Sequence, residues 1–191
     1  EILDTADNCV FVANNDQANG DTDNLGNACD EDDDGDTVAD TADNCVLVAN
    51  ADQLNTDGDA FGDVCDDDDD NDGILDGADN CALLSNANQL NTDGDAFGDA
   101  CDSDSDGDVV ADNLDNCVLV ANANQLNTDG DSFGDACDTD DDGDGVADST
   151  DNCALIANAD QLNTDDDAFG DACDADRDGD GVADSTDNCP L

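Results

Sequence analysis

Histidine, tryptophan, tyrosine and methionine are absent from this 191-residue chain, and Arg177 is its only basic side chain. Without histidine, zinc and copper sites lose their commonest protein ligand. Without a basic patch nothing meets the phosphates of a nucleic acid, which excludes that class of partner. No apolar run approaches the ~20 residues of a membrane span, so membrane insertion is excluded as well. Aromatic residues make up 3% of the chain, too few to anchor an ordinary core. What abounds is negative charge, with 56 acidic residues and a formal net charge of −55. Carboxylates this dense repel one another over any compact surface, so the chain is either disordered or neutralised by multivalent cations. Composition favours disorder. The 11 cysteines argue the other way, because they recur at fixed spacing.

Asp-Asn-Cys ends at Cys9, Cys45, Cys81, Cys117, Cys153 and Cys189, always 36 residues apart. A second set, Cys29, Cys65, Cys101, Cys137 and Cys173, keeps the same spacing. The chain therefore reads as a single array of five repeats, 9–44, 45–80, 81–116, 117–152 and 153–188, with partial repeats at both ends. Each repeat holds two acidic loops and a spacer such as Asn80–Leu90, which carries most of the apolar residues. The spacer is too short and too rich in asparagine for a packed helix pair, so little regular secondary structure is expected.

Ca²⁺ takes six to eight oxygen ligands, and a twelve-residue loop supplies them from positions 1, 3, 5, 7, 9 and 12, with position 7 using its carbonyl. The first kind of loop fits that ruler in five copies. It assigns Asp32, Asp34, Asp36, Asp40 and Asp43; Asp68, Asp70, Asp72, Asp76 and Asp79; and Asp104, Asp106, Asp108, Asp112 and Asp115. The last two copies give Asp140, Asp142, Asp144, Asp148 and Asp151, then Asp176, Asp178, Asp180, Asp184 and Asp187. The second kind places asparagine first: Asn55, Asp57, Asp59, Asp63 and Asp66; Asn91, Asp93, Asp95, Asp99 and Asp102. It recurs at Asn127, Asp129, Asp131, Asp135 and Asp138, and at Asn163, Asp165, Asp167, Asp171 and Asp174. Its earliest copy, Asn19, Asp21, Asp23, Asn27 and Asp30, has two neutral side chains and is expected to bind least tightly. The carbonyl ligands assigned are Leu25, Val38, Phe61, Ile74, Phe97, Val110, Phe133, Val146, Phe169 and Val182. A merely solvated acidic face would explain neither this period nor the recurring glycines 62, 98, 134 and 170. A single residue separates successive loops, which leaves no room for the flanking helices of an EF-hand. Paired carboxylates can do acid–base work, but near-copies without a pocket point to a structural role and not to an enzyme.

The strings DDDNDGILDGADNC and NTDGDAFGDACD, with the spacer Asn50-Ala51-Asp52-Gln53, resemble thrombospondin type 3 repeats over essentially the whole chain. The near-identity of the copies resembles bacterial surface proteins more than animal matrix proteins. The resemblance implies a backbone wound around a string of calcium ions in place of a hydrophobic core: a calcium-stabilised, disulfide-stapled, elongated tandem array. It implies further ions, to which the spacer residues Asn50, Asp52, Asn86, Asn122, Asn158 and Asp160 contribute. It also implies that each Asp-Asn-Cys cysteine pairs with the one 20 residues on, as 9–29, 45–65, 81–101, 117–137 and 153–173. Spacing alone equally permits 29–45 and its equivalents. Three departures stand out. Proline follows only Cys189, as Pro190, while Thr37 and Val109 replace a loop glycine.

Ten ions, one per full loop, would leave a net charge of about −35. Disulfides and millimolar calcium together place the array outside the cell or on its surface. The expected role is a stiff stalk, spacer or filament segment. The alternatives are a disordered calcium sponge or mineral nucleator, and a calcium-dependent adhesion module touching partners through Val46-Leu47-Val48 and Val118-Leu119-Val120, although these spacers are expected rather to pack on their own disulfides. Cys189 lacks a partner, and Asp4 and Asp7 read as the remnant of a loop, so both ends are expected to continue, in a longer array or a neighbouring copy. The opening Glu1-Ile2-Leu3-Asp4 has no signal-peptide pattern, and any targeting segment is expected to have been removed or not included.

Overall fold

A computed structural model describes residue 3 and residues 5–189. Asp4, assigned to the partial first loop, and Pro190 lie outside the described residues. No helix or strand occurs among the described residues, and turns follow one another along the chain. The cause is local. Aspartate and asparagine side chains bond to nearby backbone amides and so compete with helix and sheet ladders. The apolar residues keep neither a helical nor a strand period that could override them.

Longer-range backbone bonds fold each repeat on itself. The Gly62 amide donates to the Asn44 carbonyl (3.1 Å) and the Asp63 amide to the Leu54 carbonyl (3.1 Å), which lays the second loop back over the start of the spacer. The bridges are Cys9–Cys29, Cys45–Cys65, Cys81–Cys101, Cys117–Cys137 and Cys153–Cys173, each across 20 residues. The pairing of Cys29 with Cys45 is not formed. Cys189 is free and exposed.

Among the described residues the buried apolar side chains are those of Cys9, Cys45, Cys81, Cys117 and Cys153. Around each is a polar brace. In the second repeat, Gln53 Oε1 accepts from the Asn44 amide (2.9 Å), while its Nε2 donates to Asp43 Oδ1 (2.7 Å) and Asn50 Oδ1 (2.9 Å). Asn50 Nδ2 in turn donates to Asn44 Oδ1 (2.6 Å). Using both ends of the glutamine side chain offsets its left-handed backbone, φ 50–52° at Gln17, Gln53, Gln89, Gln125 and Gln161. Spacer and loop apolar residues stay largely outside: Leu47 is 62% and Phe61 57% exposed, and they border a shallow groove over the 45–65 bridge.

Chain contacts divide the molecule into two units. One comprises Glu1–Asn91 and Asp95–Cys101; the other comprises Thr92–Gly94 and Asp102–Leu191. The same turns, bridges and braces recur inside each.

Candidate metal-binding loops

In the first kind of loop the aspartates of positions 1 and 3 turn the backbone with one oxygen and leave the other without a hydrogen bond, as at Asp68 and Asp70. Position 5 engages both, Asp72 Oδ2 accepting from the Asn86 amide (2.7 Å). Over 68–79, Asp70 Oδ1 accepts from the Asp72 amide (3.1 Å) and Asp72 Oδ1 from the Ile74 amide (2.8 Å). Asp68 Oδ2 accepts from the Gly73 amide (3.1 Å) and closes the turn. One oxygen each from Asp68, Asp70 and Asp72 then lies within 4.8 Å of the others, and Asp32, Asp34 and Asp36 converge in the same way. Asp34 Oδ2, Asp70 Oδ2, Asp106 Oδ2 and Asp142 Oδ2 are shielded from water and accept no hydrogen bond. The same holds for Asp68 Oδ1, Asp140 Oδ1 and Asp176 Oδ1, and for Oδ2 of Asp115 and Asp187 at position 12.

The second kind of loop gathers different positions: Asp21, Asp23 and Asp30, or Asp57, Asp59 and Asp66, at positions 3, 5 and 12. Asn55 is used locally. Its Oδ1 accepts from the Gly58 amide (2.6 Å) and its Nδ2 donates to the Asp59 carbonyl (3.2 Å). The earliest copy brings its three aspartates together despite Asn19 and Asn27, with Thr22 at φ 76° where Gly58 has the same angle. The third copy falls where the chain divides. There Asn91 Nδ2 donates to the Asp95 carbonyl (3.1 Å) and the Phe97 amide to Asp95 Oδ1 (2.7 Å).

Position 9 behaves differently from the rest of the ruler. Asp76 Oδ1 accepts from the Asp69 amide (2.9 Å) and Asp63 Oδ1 from the Thr56 amide (2.7 Å), so this side chain folds over the second residue of its loop. Among the described residues no backbone amide donates to the carbonyls of Leu25, Val38, Phe61, Ile74, Val110, Val146 or Val182 at position 7. The spacer asparagines Asn50, Asn86, Asn122 and Asn158 lie in the polar braces, their amides bound to Asn44, Asn80, Asn116 and Asn152.

Crowded carboxylates resist ionising. Shielding from water, then its neighbours Asp76, Asp63, Asp66 and Asp57, push the Asp69 carboxyl up to about 6. Shielding first, and neighbouring aspartates with it, also raise Asp33, Asp34, Asp70, Asp106, Asp141, Asp142 and Asp178. Asp7 is lowered instead, because the Cys9 amide and then the Gln17 side chain donate to it.

This donor set is all oxygen, mostly carboxylate with free carbonyls beside it, and its shielded oxygens point at one another. Hard cations of calcium's size take such a set; softer metals want nitrogen or sulfur. Two features escaped sequence reasoning. The fixed glycines of the second loop answer to a close approach and not to a special φ: a Cβ at Gly62 would lie 2.5 Å from Asn44 Oδ1, and at Gly134 2.4 Å from Asn116 Oδ1. The Asn and Gln of the spacer form the brace, and their unvarying offset from Asp-Asn-Cys was the signal available.

The family model of the thrombospondin type 3 repeat matches residues 18–53, 55–89, 91–125, 127–161 and 163–191. No curated protein matches the chain.

Proposed function

We propose a structural role for this chain, which belongs to the thrombospondin type 3 repeat family of calcium-binding structural modules. It is an extracellular or surface array that calcium stiffens into a stalk, spacer or filament segment, and it catalyses nothing. Each loop holds one Ca²⁺ with the carbonyl of position 7, the first kind through positions 1, 3, 5 and 12 and the second through positions 3, 5 and 12. That makes ten ions in all, from Asn19–Asp30 through Asp176–Asp187, while position 9 closes over each loop. The array reads as one set of five repeats. No helix among the described residues is long and apolar enough to cross a membrane.

The convergence of shielded, unpaired aspartate oxygens where an ordinary domain has its apolar core carries this reading. Bound calcium supplies the attraction that the few buried cysteines cannot, and neutralises a repulsion that would otherwise expand the chain. Small-angle scattering and amide NMR in millimolar calcium and after chelation test it. The expected result is a fixed length and dispersed amides with calcium, and an expanded chain without it. Length and amide dispersion that survive chelation, or weak non-cooperative uptake without ordering, would overturn the role.

A further inference from the structure

Phenylalanine is the only aromatic residue of the chain, and it occurs once in each repeat, at 11, 61, 97, 133 and 169. Phe61, Phe97, Phe133 and Phe169 stand at position 7 of the second kind of loop, where a calcium ion uses the backbone carbonyl and not the side chain. Their rings border grooves that are also lined by both cysteines of the local bridge and by a spacer leucine, Leu47, Leu83, Leu119 or Leu155. In chain order these grooves measure 330, 350, 320 and 440 Å³. The first repeat exchanges the two residues: Phe11 takes the spacer place and Leu25 the loop place. Every repeat thus keeps one phenylalanine and one leucine, whichever side carries which.

Packing within the repeat does not account for the pair. The four loop phenylalanines are 56–57% exposed, Phe11 is fully exposed, and the four leucines lie mostly outside as well. A residue kept for a core would be covered, and one kept for its carbonyl alone has no need of a ring. Contiguous exposed apolar surface with a polar rim marks an interaction site. Here the rim is acidic even with calcium bound: the loop beside the first of these grooves carries Asp57, Asp59, Asp63 and Asp66 against the two charges of one ion. The chain as a whole has a net charge of −55, or about −35 with ten ions, and Arg177 is its one basic residue. A second copy, an anionic bilayer or an acidic segment meets like charge at these grooves. A basic segment is attracted to them and steered in.

We infer that each groove docks a basic, amphipathic protein segment. The segment seats an apolar side chain between the leucine and the phenylalanine and sets its lysines or arginines against the flanking aspartates. This goes beyond the structural role and concerns side chains that the calcium sites do not use. NMR of the full calcium-loaded chain tests it with three synthetic peptides of equal length, built from lysine and leucine, lysine and serine, or glutamate and leucine. The lysine–leucine peptide is expected to move the ring and methyl signals of the groove phenylalanines and leucines, and the other two to leave them in place. Leu83→Ser keeps every assigned calcium ligand and is expected to weaken binding at the 81–101 groove by about tenfold, the loss of one buried leucine. The 117–137 groove should respond as before. Equal movement with the lysine–serine peptide would reduce the attraction to charge alone and overturn the inference, as would a Leu83→Ser chain that responds like wild type. Groove signals that shift with chain concentration in the absence of peptide would give the face to a second copy and overturn it too. An ordered, calcium-loaded chain whose grooves no peptide perturbs would overturn this inference alone. A chain that stays unordered in calcium would overturn the structural role with it.

Discussion

Loops 55–66 and 68–79 carry the same ruler of acids, yet they gather different ones and hand the chain on differently. In 68–79 the acids at positions 1, 3 and 5 converge, and Asp79 at position 12 turns its Oδ1 to the Cys81 amide (2.7 Å) and to Gln89 Nε2 (2.6 Å). In 55–66 the acids at positions 3, 5 and 12 converge, and Asp66 Oδ1 accepts instead from the amides of Asp67 (2.7 Å) and Asp68 (3.0 Å). The first loop is thus anchored to the spacer and its disulfide, the second to the loop that follows. One neutral residue accounts for much of this. Asn55 engages its amide within its own turn, which lowers the charge at position 1 and lets position 12 take its place.

The largest expected effect comes from breaking the ligand sets unequally. Asp70→Asn removes charge from a loop with three converging acids and shielded oxygens, and is expected to weaken its ion by roughly tenfold or more. Asn55→Asp should strengthen the second loop by a similar factor, since charge count tunes affinity in such loops. Terbium or calcium titration followed by residue-resolved NMR reads both. Equal, small effects would mean that the two loops do not differ as ligands.

Next comes the anchoring. Replacing Cys117 and Cys137 together by alanine should cost about 3 kcal/mol in that repeat, the closure entropy of a loop of this length. Gly134→Ala should cost about 1–3 kcal/mol, because its Cβ would fall 2.4 Å from Asn116 Oδ1. Gly130→Ala, at φ 78° with open space around it, should cost about 1 kcal/mol. Hydrogen exchange in calcium ranks the three, and a reversed order of the two glycines would remove the close-approach argument.

Much of this was legible in the residues. The ruler of alternating aspartates could be read because it is local: each carboxylate turns the chain two residues on, as Asp70 does for Asp72. The brace was not read as such, since Asn44, Asn50 and Gln53 meet through contacts of 3 to 9 residues that follow no simple period. Position 2 was invisible for another reason. Aspartate, serine and arginine there look like ordinary surface variation until the position-9 carboxylate is seen folded over them. Position 9 follows from spacing, which does not tell an inward oxygen from one that accepts an amide, as Asp76 Oδ1 does from Asp69. The left-handed backbone at Thr37 and Val109 could not be foreseen either, because β-branched residues disfavour it.

Acidity sharpens the comparison further. The raised carboxyls, Asp33, Asp34, Asp69, Asp70, Asp106, Asp141, Asp142 and Asp178, all belong to the first kind of loop. A folded carboxyl at about 6, as for Asp69, against an unfolded 3.8 means that the folded state holds more protons between those values. Without metal, stability is therefore lowest above pH about 6 and rises as the pH falls toward about 4. With calcium the sign reverses, because protons displace the ion. Metal-stripped protein should gain amide protection in its first-kind loops on acidification, and loaded protein should lose it. A metal-free chain that loosens steadily with acid would contradict the crowding of these oxygens.

The smallest effect separates copies of one loop. Position 6 of the first kind is glycine at 73, 145 and 181, with φ 94°, 92° and 89°, but Thr37 and Val109 hold φ 82° and 76°. Both keep the loop's closing bond, to Asp32 Oδ2 and Asp104 Oδ2 at 3.0 Å each, so the ligand geometry holds the backbone where a β-branched residue resists it. Val109 is 88% exposed and gains little from packing in return. A left-handed β-branched residue costs about 1–2 kcal/mol, and glycine's extra unfolded-state freedom returns about 0.5–1 kcal/mol of that. Val109→Gly should therefore stabilise its loop by roughly 0.5–1 kcal/mol and tighten its ion slightly, by relieving strain that calcium otherwise opposes. Local hydrogen exchange across 104–115 in calcium measures this, and a loss of protection there would show that the valine side chain contributes a contact worth more than the strain.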